Sequence, residues 1–224
     1  MIPRFHLIFV VTILLVTLGI SAGFYPALPE RVPIHWNIHG EIDGYGSRWI
    51  SLLITPGAVV LTALLMIGLP LLGPFRENFE QFKPTYGRLC VTIVASLALL
   101  HLIVLLGAAG HGLRIGASIC VVIGAMLALL GNWLGKVRRN FYIGIRTPWT
   151  LANDAVWEKT HRFGGKLFVV SGLAAVLAGF LAPQEWMCFV VLMGGLGVSS
   201  VAAVLYSLYW YRRLGKIDDL SASR

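Results

Sequence analysis

The chain has 224 residues, 57% of them hydrophobic and 12% charged, with a mean hydropathy of +0.79. Soluble domains carry about 25% charged residues, so a water-soluble globule is excluded. The formal net charge of +8 and the pI of about 9.8 do not by themselves indicate a nucleic-acid partner, because a biased placement of Lys and Arg around membrane spans produces the same excess.

Six stretches are almost free of charge: Phe5 to Tyr25, Ser51 to Gly73, Leu89 to Gly110, Ile115 to Gly135, Gly164 to Ala182 and Trp186 to Tyr211. Each approaches or exceeds the roughly 20 apolar residues that a membrane-spanning helix needs. The expected fold class is therefore an all-α polytopic membrane protein with about six transmembrane helices. The first stretch ends in the small residues Ser21, Ala22 and Gly23, as a cleaved signal peptide would. Its apolar run is too long for a signal core of 7 to 15 residues, so an uncleaved anchor is expected.

Between the first two spans, Val32, Ile34, Trp36 and Ile38 alternate with Pro33, His35, Asn37 and His39. A period of two predicts a short extended strand with one apolar face, lying on the bilayer or on the bundle. Gly40, Asp43, Gly44 and Gly46 supply turn chemistry, and Tyr45 and Trp49 suit the interface. His35 and His39, with Glu41 and Asp43 nearby, invite a metal-site reading. Four residues along a strand would separate the imidazoles by about 13 Å, beyond the reach of one ion, so no metal and no cofactor are expected.

The second span holds Pro70 near its end, where it costs little. The third holds His101, which is expected to be a hydrogen-bonded packing residue, since the spans contain no Asp or Glu to serve as relay partners. Gly131 and Gly135, and the ridge Ser171, Ala175 and Gly179, put small residues at four-residue intervals, which permits close helix packing in lipid. Cys90, Cys120 and Cys188 all fall in spans and are too few for a disulfide framework.

The inner loop from Lys136 to Phe163 is the richest segment. Thr147 followed by Pro148 reads as an N-cap with proline in the first helical position. From there Trp149, Ala152, Val156 and Phe163 recur on one side, with Asp154, Glu158, His161 and Arg162 on the other. This predicts an amphipathic inner-loop helix lying at the membrane surface, with Trp149 and Trp157 at headgroup depth and Glu158 paired with Arg162.

Orientation follows from the basic residues. With the N-terminus inside, Arg4, Arg76, Lys83, Arg88, Lys136, Arg138, Arg139, Arg146, Lys159, Arg162, Lys166, Arg212, Arg213, Lys216 and Arg224 are cytoplasmic, which makes 15. Only the 3 residues Arg31, Arg48 and Arg114 lie outside. The positive-inside rule puts both termini in the cytoplasm and accounts for the basic pI without direct nucleic-acid binding.

Residues 140–151 (NFYIGIRTPWTL), with Val156, Trp157 and the run Lys159 to Arg162, resemble the signature of the SdpI family of bacterial membrane proteins. Asp154 stands where members often carry Glu. The outer segment, with Val32 to Asn37 and Gly40 to Gly46, is similar to the extracytoplasmic domain of unknown function that precedes it in many members; His35, Trp36, Asn37 and Gly40 are its motif positions here. The resemblance implies two regions: 1–75, the first two spans with outer loop 26–50, and 76–224, an SdpI-like region of four spans with inner loop 136–163. It also implies immunity, the protection of a bacterium from its own secreted killing peptide, and signalling by recruitment of a cytoplasmic ArsR-type repressor. On that reading the partners are the lipid bilayer, a toxin peptide and the repressor, and the partner-binding residues are Arg146, Thr147, Pro148, Trp149, Thr150 and Trp157.

The alternative is a small ion or solute transporter. An enzyme is not expected, as no zinc motif, nucleophile elbow or phosphate loop is present. The topology is directly testable: single cysteines replacing Asn37 and Gln184 should react with an impermeant thiol reagent in intact cells, and those replacing Ala152 and Ser221 should not. Labelling at position 152 from outside would refute the six-span arrangement.

Overall fold

A computed structural model describes residues 2–72 and 76–222. The expected end of span two at Gly73, the start of the following loop at Phe75, and Arg224 lie outside those residues. The described elements are helices α1 (Arg4–Phe24), α2 (Thr55–Leu72), α3 (Arg76–Ala108), α4 (Ile115–Leu134), α5 (Pro148–Ala152), α6 (Asp154–Leu181) and α7 (Glu185–Ala222), with strands β1 (Arg31–Trp36) and β2 (Ile42–Ser47) between α1 and α2. Six of these helices are long and apolar enough to cross a membrane, and an even number of crossings returns both termini to one side. The chain is a multi-pass membrane protein.

Two helices begin earlier than their apolar runs. Residues 76–88, expected as a cytoplasmic loop, form the first turns of α3 despite Pro84 within it. The cause is an aromatic face: Phe79, Phe82 and Tyr86 are buried and recur at helical spacing, and Tyr86 donates its hydroxyl to the Met66 carbonyl of α2 at 2.6 Å. The expected surface helix of the inner loop is likewise corrected. Only Pro148–Ala152 forms a separate turn; Asn153 then caps α6, accepting from the Ala155 and Val156 amides at 2.9 and 3.1 Å. Residues 154–163 continue into the span instead of lying along the bilayer, because Val156, Trp157, Thr160 and His161 are all buried among neighbouring elements.

The tightest seam joins α4 to α6. Ala117, Gly124 and Gly131 on α4 face Gly179, Gly172 and Gly165 on α6, an antiparallel ladder of small residues repeating every seven positions. A Cβ added to Gly124 would sit 2.7 Å from the Gly172 carbonyl, and one added to Gly165 would sit 2.6 Å from the Gly131 carbonyl. The seven-residue repeat keeps one stripe of each helix on its partner, and the missing side chains bring the backbones together where lipid supplies no hydrophobic drive. Of the expected small-residue ridge, Ala175 and Gly179 face α4, whereas Ser171 bonds the Ser199 hydroxyl and Gly195 carbonyl of α7 at 2.8 and 3.1 Å.

A second core lies among α1, α2 and the inner half of α3, and it takes in Val137 and Trp157 from the inner loop. His101, fully buried in α3, bonds Ser21 of α1 at 2.8 Å. That contact ties two spans together, the packing role expected of it.

The seam makes a measurable claim. Gly172→Ala would push a methyl into the Gly124 carbonyl and the Ala128 amide, whereas Gly197→Ala meets nothing within 4 Å. Overpacking costs about 1–3 kcal/mol, so Gly172→Ala should lower the thermal unfolding midpoint in detergent and Gly197→Ala should not. Equal midpoints for the two variants would remove the seam's assigned role.

Candidate functional site

On the outer side the chain forms a hairpin, not a single strand. β1 pairs antiparallel with β2, Val32 opposite Gly46 and His35 opposite Gly44, with irregular register beyond Pro33. The second strand is glycine-rich for a steric reason: a Cβ at Gly44 would come within 2.9 Å of the His35 Cβ, and one at Gly46 within 2.7 Å of Ile34. Val32 is buried with Leu28, Leu52, Leu105 and Ala108, so the apolar face rests on the bundle.

Asn37 builds the turn. Its side-chain oxygen accepts from the His39 and Glu41 amides at 2.9 and 3.1 Å, and its amide donates to Glu41 at 2.9 Å. Gly40 adopts φ +80, and any side chain there would run into the Glu185 carboxylate. Glu185 in turn accepts from the Gly116 amide of α4 at 2.6 Å. One carboxylate thus holds the hairpin tip, the start of α4 and the start of α7 together. His35 bonds Asp43 across the strands at 2.5 Å.

Between the hairpin and the outer ends of α4 and α7 lies a cleft of about 480 Å³. Trp36, Ile38, Ile119, Phe189 and Leu192 give it apolar walls, and His35, Asn37, Asp43 and Glu185 a polar rim. Three of the four outer motif positions, His35, Trp36 and Asn37, line it; Gly40 forms the turn beside it. The contribution of α4 and α7 has no local sequence signal, because Gly116, Ile119, Phe189 and Leu192 read individually as ordinary span residues.

On the inner side, residues 136–162 fold into a polar knot packed under the bundle. Asn140, fully buried, accepts from the Tyr142 and Ile143 amides at 2.9 and 2.8 Å and donates to the Arg138 carbonyl at 2.8 Å. Trp157, 1% exposed, donates its indole N–H to the Val137 carbonyl at 2.7 Å and stacks on His161 with ring centroids 4.0 Å apart. His161 Nε2 accepts from the Ile145 amide at 2.9 Å, so the ring is the neutral tautomer whose Nδ1–H donates to the Trp157 carbonyl at 2.8 Å. Gly144 has φ +115 and lies against this ring, leaving no space for a Cβ.

The Thr147 cap forms as expected and is reciprocal. Its hydroxyl accepts from the Thr150 amide at 3.1 Å, and the Thr150 hydroxyl accepts from the Thr147 amide at 2.9 Å while donating to the Ile145 carbonyl at 2.8 Å. The Thr147 hydroxyl also lies 3.1 Å from Ser207 of α7.

The six inner motif residues therefore divide. Thr147, Thr150 and Trp157 are buried; Trp149 is half-buried; Arg146 and Pro148 are exposed. Arg146 donates to the Phe141 carbonyl, and Phe141 itself is 46% exposed. Trp157 is buried between Val137 and His161 instead of facing lipid headgroups, His161 does not face solvent, and Glu158 pairs with Arg138 instead of Arg162. Arg139 takes Asp154 at 2.9 Å. These displacements share one cause: α6 starts as a span, so its first turns meet the 136–146 segment instead of water.

Among known proteins, the SdpI/YfhL protein family matches residues 136–207 and a domain of unknown function, DUF1648, matches residues 12–60. The immunity protein SdpI of Bacillus subtilis (strain 168) is 28% identical over 208 residues, 92% of this chain and 96% of that protein. No solved structure gives a significant match.

The knot is testable. Trp157→Phe keeps the ring but leaves the Val137 carbonyl unpaired, at about 1–3 kcal/mol, and Gly144→Ala forces an L side chain into a left-handed conformation. Both variants should be cleaved faster by trypsin at Arg138, Arg139 and Arg146 in inside-out vesicles. Wild-type cleavage rates in both would mean that these bonds do not hold the loop.

Proposed function

We propose that this chain acts as the SdpI/YfhL protein family does, whose model matches residues 136–207, and that it protects its cell from a secreted killing peptide at the outer face and signals through the inner loop. The observation that carries the reading is the sidedness of the two built regions. A secreted peptide meets the protein from outside or within the bilayer, and the outer cleft offers apolar walls with a carboxylate at its rim, which suits an amphipathic peptide with a basic end. A cytoplasmic repressor reaches only the inner surface, where Phe141, Arg146 and Pro148 are exposed on a segment held from behind by Thr147, Thr150 and Trp157. In this division of labour the exposed residues contact the partner, and the buried ones set the shape it recognises.

Transport has less support. His101, its candidate relay residue, has Ser21 as its described hydrogen-bond partner, and a hydroxyl bonded back to its own helix is a poor proton carrier.

Deleting the gene should make cells lose viability in the parent strain's own culture supernatant, and restoring the wild-type protein should rescue them. Phe189→Asp, which charges the cleft wall, should insert normally but fail to rescue. Arg146→Ala should still rescue while failing to move an ArsR-type repressor from the cytosolic to the membrane fraction. Survival of the deletion strain would overturn the immunity reading; loss of rescue by Arg146→Ala with repressor recruitment intact would overturn the division of labour.

A further inference from the structure

The glycine seam leaves a consequence on the inner side. Where α4 ends and α6 enters the membrane, Gly131, Gly135 and Gly165 carry no side chains, and a groove of about 610 Å³ opens along the two helices. Three cations surround it: Lys136 just past α4, and Arg162 and Lys166 one turn apart on α6. All three are exposed, and none has a hydrogen bond or ion pair with another described side chain. The two acids in the first turns of α6 are engaged elsewhere, Glu158 by Arg138 and Asp154 by Arg139. Lys136 also faces the partial negative charge at the carboxy end of α4, which is too small to satisfy a full cation. Asn132 adds an amide to the lining.

Outward from the cations the groove becomes apolar. Val169 and Val170 line it, and Val170, Leu173 and Leu177 continue the Lys166 face of α6 towards mid-membrane, 66%, 52% and 58% exposed. A concave patch with three cations that no described side chain pairs, at the end of two spans and leading into an exposed aliphatic stripe, has the shape and polarity of one lipid: phosphate at one end and acyl chain along the other.

We propose that the cytoplasmic end of the α4–α6 seam binds an anionic phospholipid, with its phosphate held by Lys136, Arg162 and Lys166 and an acyl chain lying along Val170, Leu173 and Leu177. Arginine supplies a planar fork for phosphate oxygens, and the two lysines supply point charges. The lipid sits at the point where the inner loop leaves α4 and neutralises cations that no described side chain pairs.

The test uses the full chain in a zwitterionic detergent, titrated with phosphatidylglycerol or with phosphatidylcholine of the same acyl chains, with bound lipid counted by native mass spectrometry. The wild type should retain phosphatidylglycerol with a preference of about tenfold or more. The triple variant K136Q/R162Q/K166Q should lose that preference. The variant R88Q/R212Q/R213Q, which removes as many charges from the same side away from the groove, should keep it. Equal loss in both triples reduces the effect to bulk charge and overturns the proposal. So does displacement of the lipid by millimolar inorganic phosphate, which would make the groove a free-anion site. Should the groove triple fail to accumulate, Lys166→Gln alone is measured, and unchanged phosphatidylglycerol occupancy in it overturns the assignment.

Discussion

The close approach of α4 and α6 is the constraint on which the remaining structure depends. In lipid two apolar helices gain nothing by hiding from water, so their association rests on van der Waals contact and the backbone distance it allows. The pairs Ala117 with Gly179, Gly124 with Gly172 and Gly131 with Gly165 set that distance along the full seam. Once it is set, the carboxy end of α4 and the amino end of α6 are adjacent, and the segment between them must fold back within a narrow space.

That confinement explains the inner loop. Backbone amides and carbonyls removed from water must find partners, and here most partners are side chains of the loop itself: Asn140 for two amides, His161 for the Ile145 amide, Trp157 for the Val137 carbonyl, and Thr147 with Thr150 for each other. Gly144 makes the geometry feasible because only glycine adopts φ +115 with an imidazole against its Cα. A buried polar network of this kind specifies one arrangement, since any slip leaves several groups unsatisfied at once. The rigidity behind Phe141, Arg146 and Pro148 is a consequence of that network, and so is the release of Arg162 from Glu158.

The outer face uses a different device. A two-stranded hairpin is marginal on its own, and this one is held at two places: Val32 in the core formed by α1, α3 and the Leu52 turn, and Gly40 against Glu185. Because Glu185 also caps α4, the hairpin joins the amino-terminal spans to the carboxy-terminal ones and closes one side of the cleft. The two regions matched by separate families, residues 12–60 and 136–207, meet here and again where Trp157 enters the core of α1 to α3.

The number of spans and the Thr147–Pro148 helix start were legible in the sequence, because hydropathy and N-cap chemistry are local properties that a bilayer or a backbone reads directly. The alternation from Val32 to Ile38 likewise announced a strand and an apolar face. Its partner strand was hidden, since Gly44 and Gly46 lower strand propensity and owe their presence to the side chains of His35 and Ile34 across the hairpin. Amphipathic spacing from Trp149 to Phe163 predicts a surface helix, yet a helix with one polar face looks the same whether that face meets water or a neighbouring loop. Only the tertiary structure decides between these, as it decided that Trp157 and His161 turn inward and that Lys136, Arg162 and Lys166 share one groove. The physical reason is that hydrogen-bond partners and charge neighbours depend on distance in space, and the α4–α6 seam that sets those distances is a seven-residue repeat of small residues carrying almost no hydropathy signal of its own.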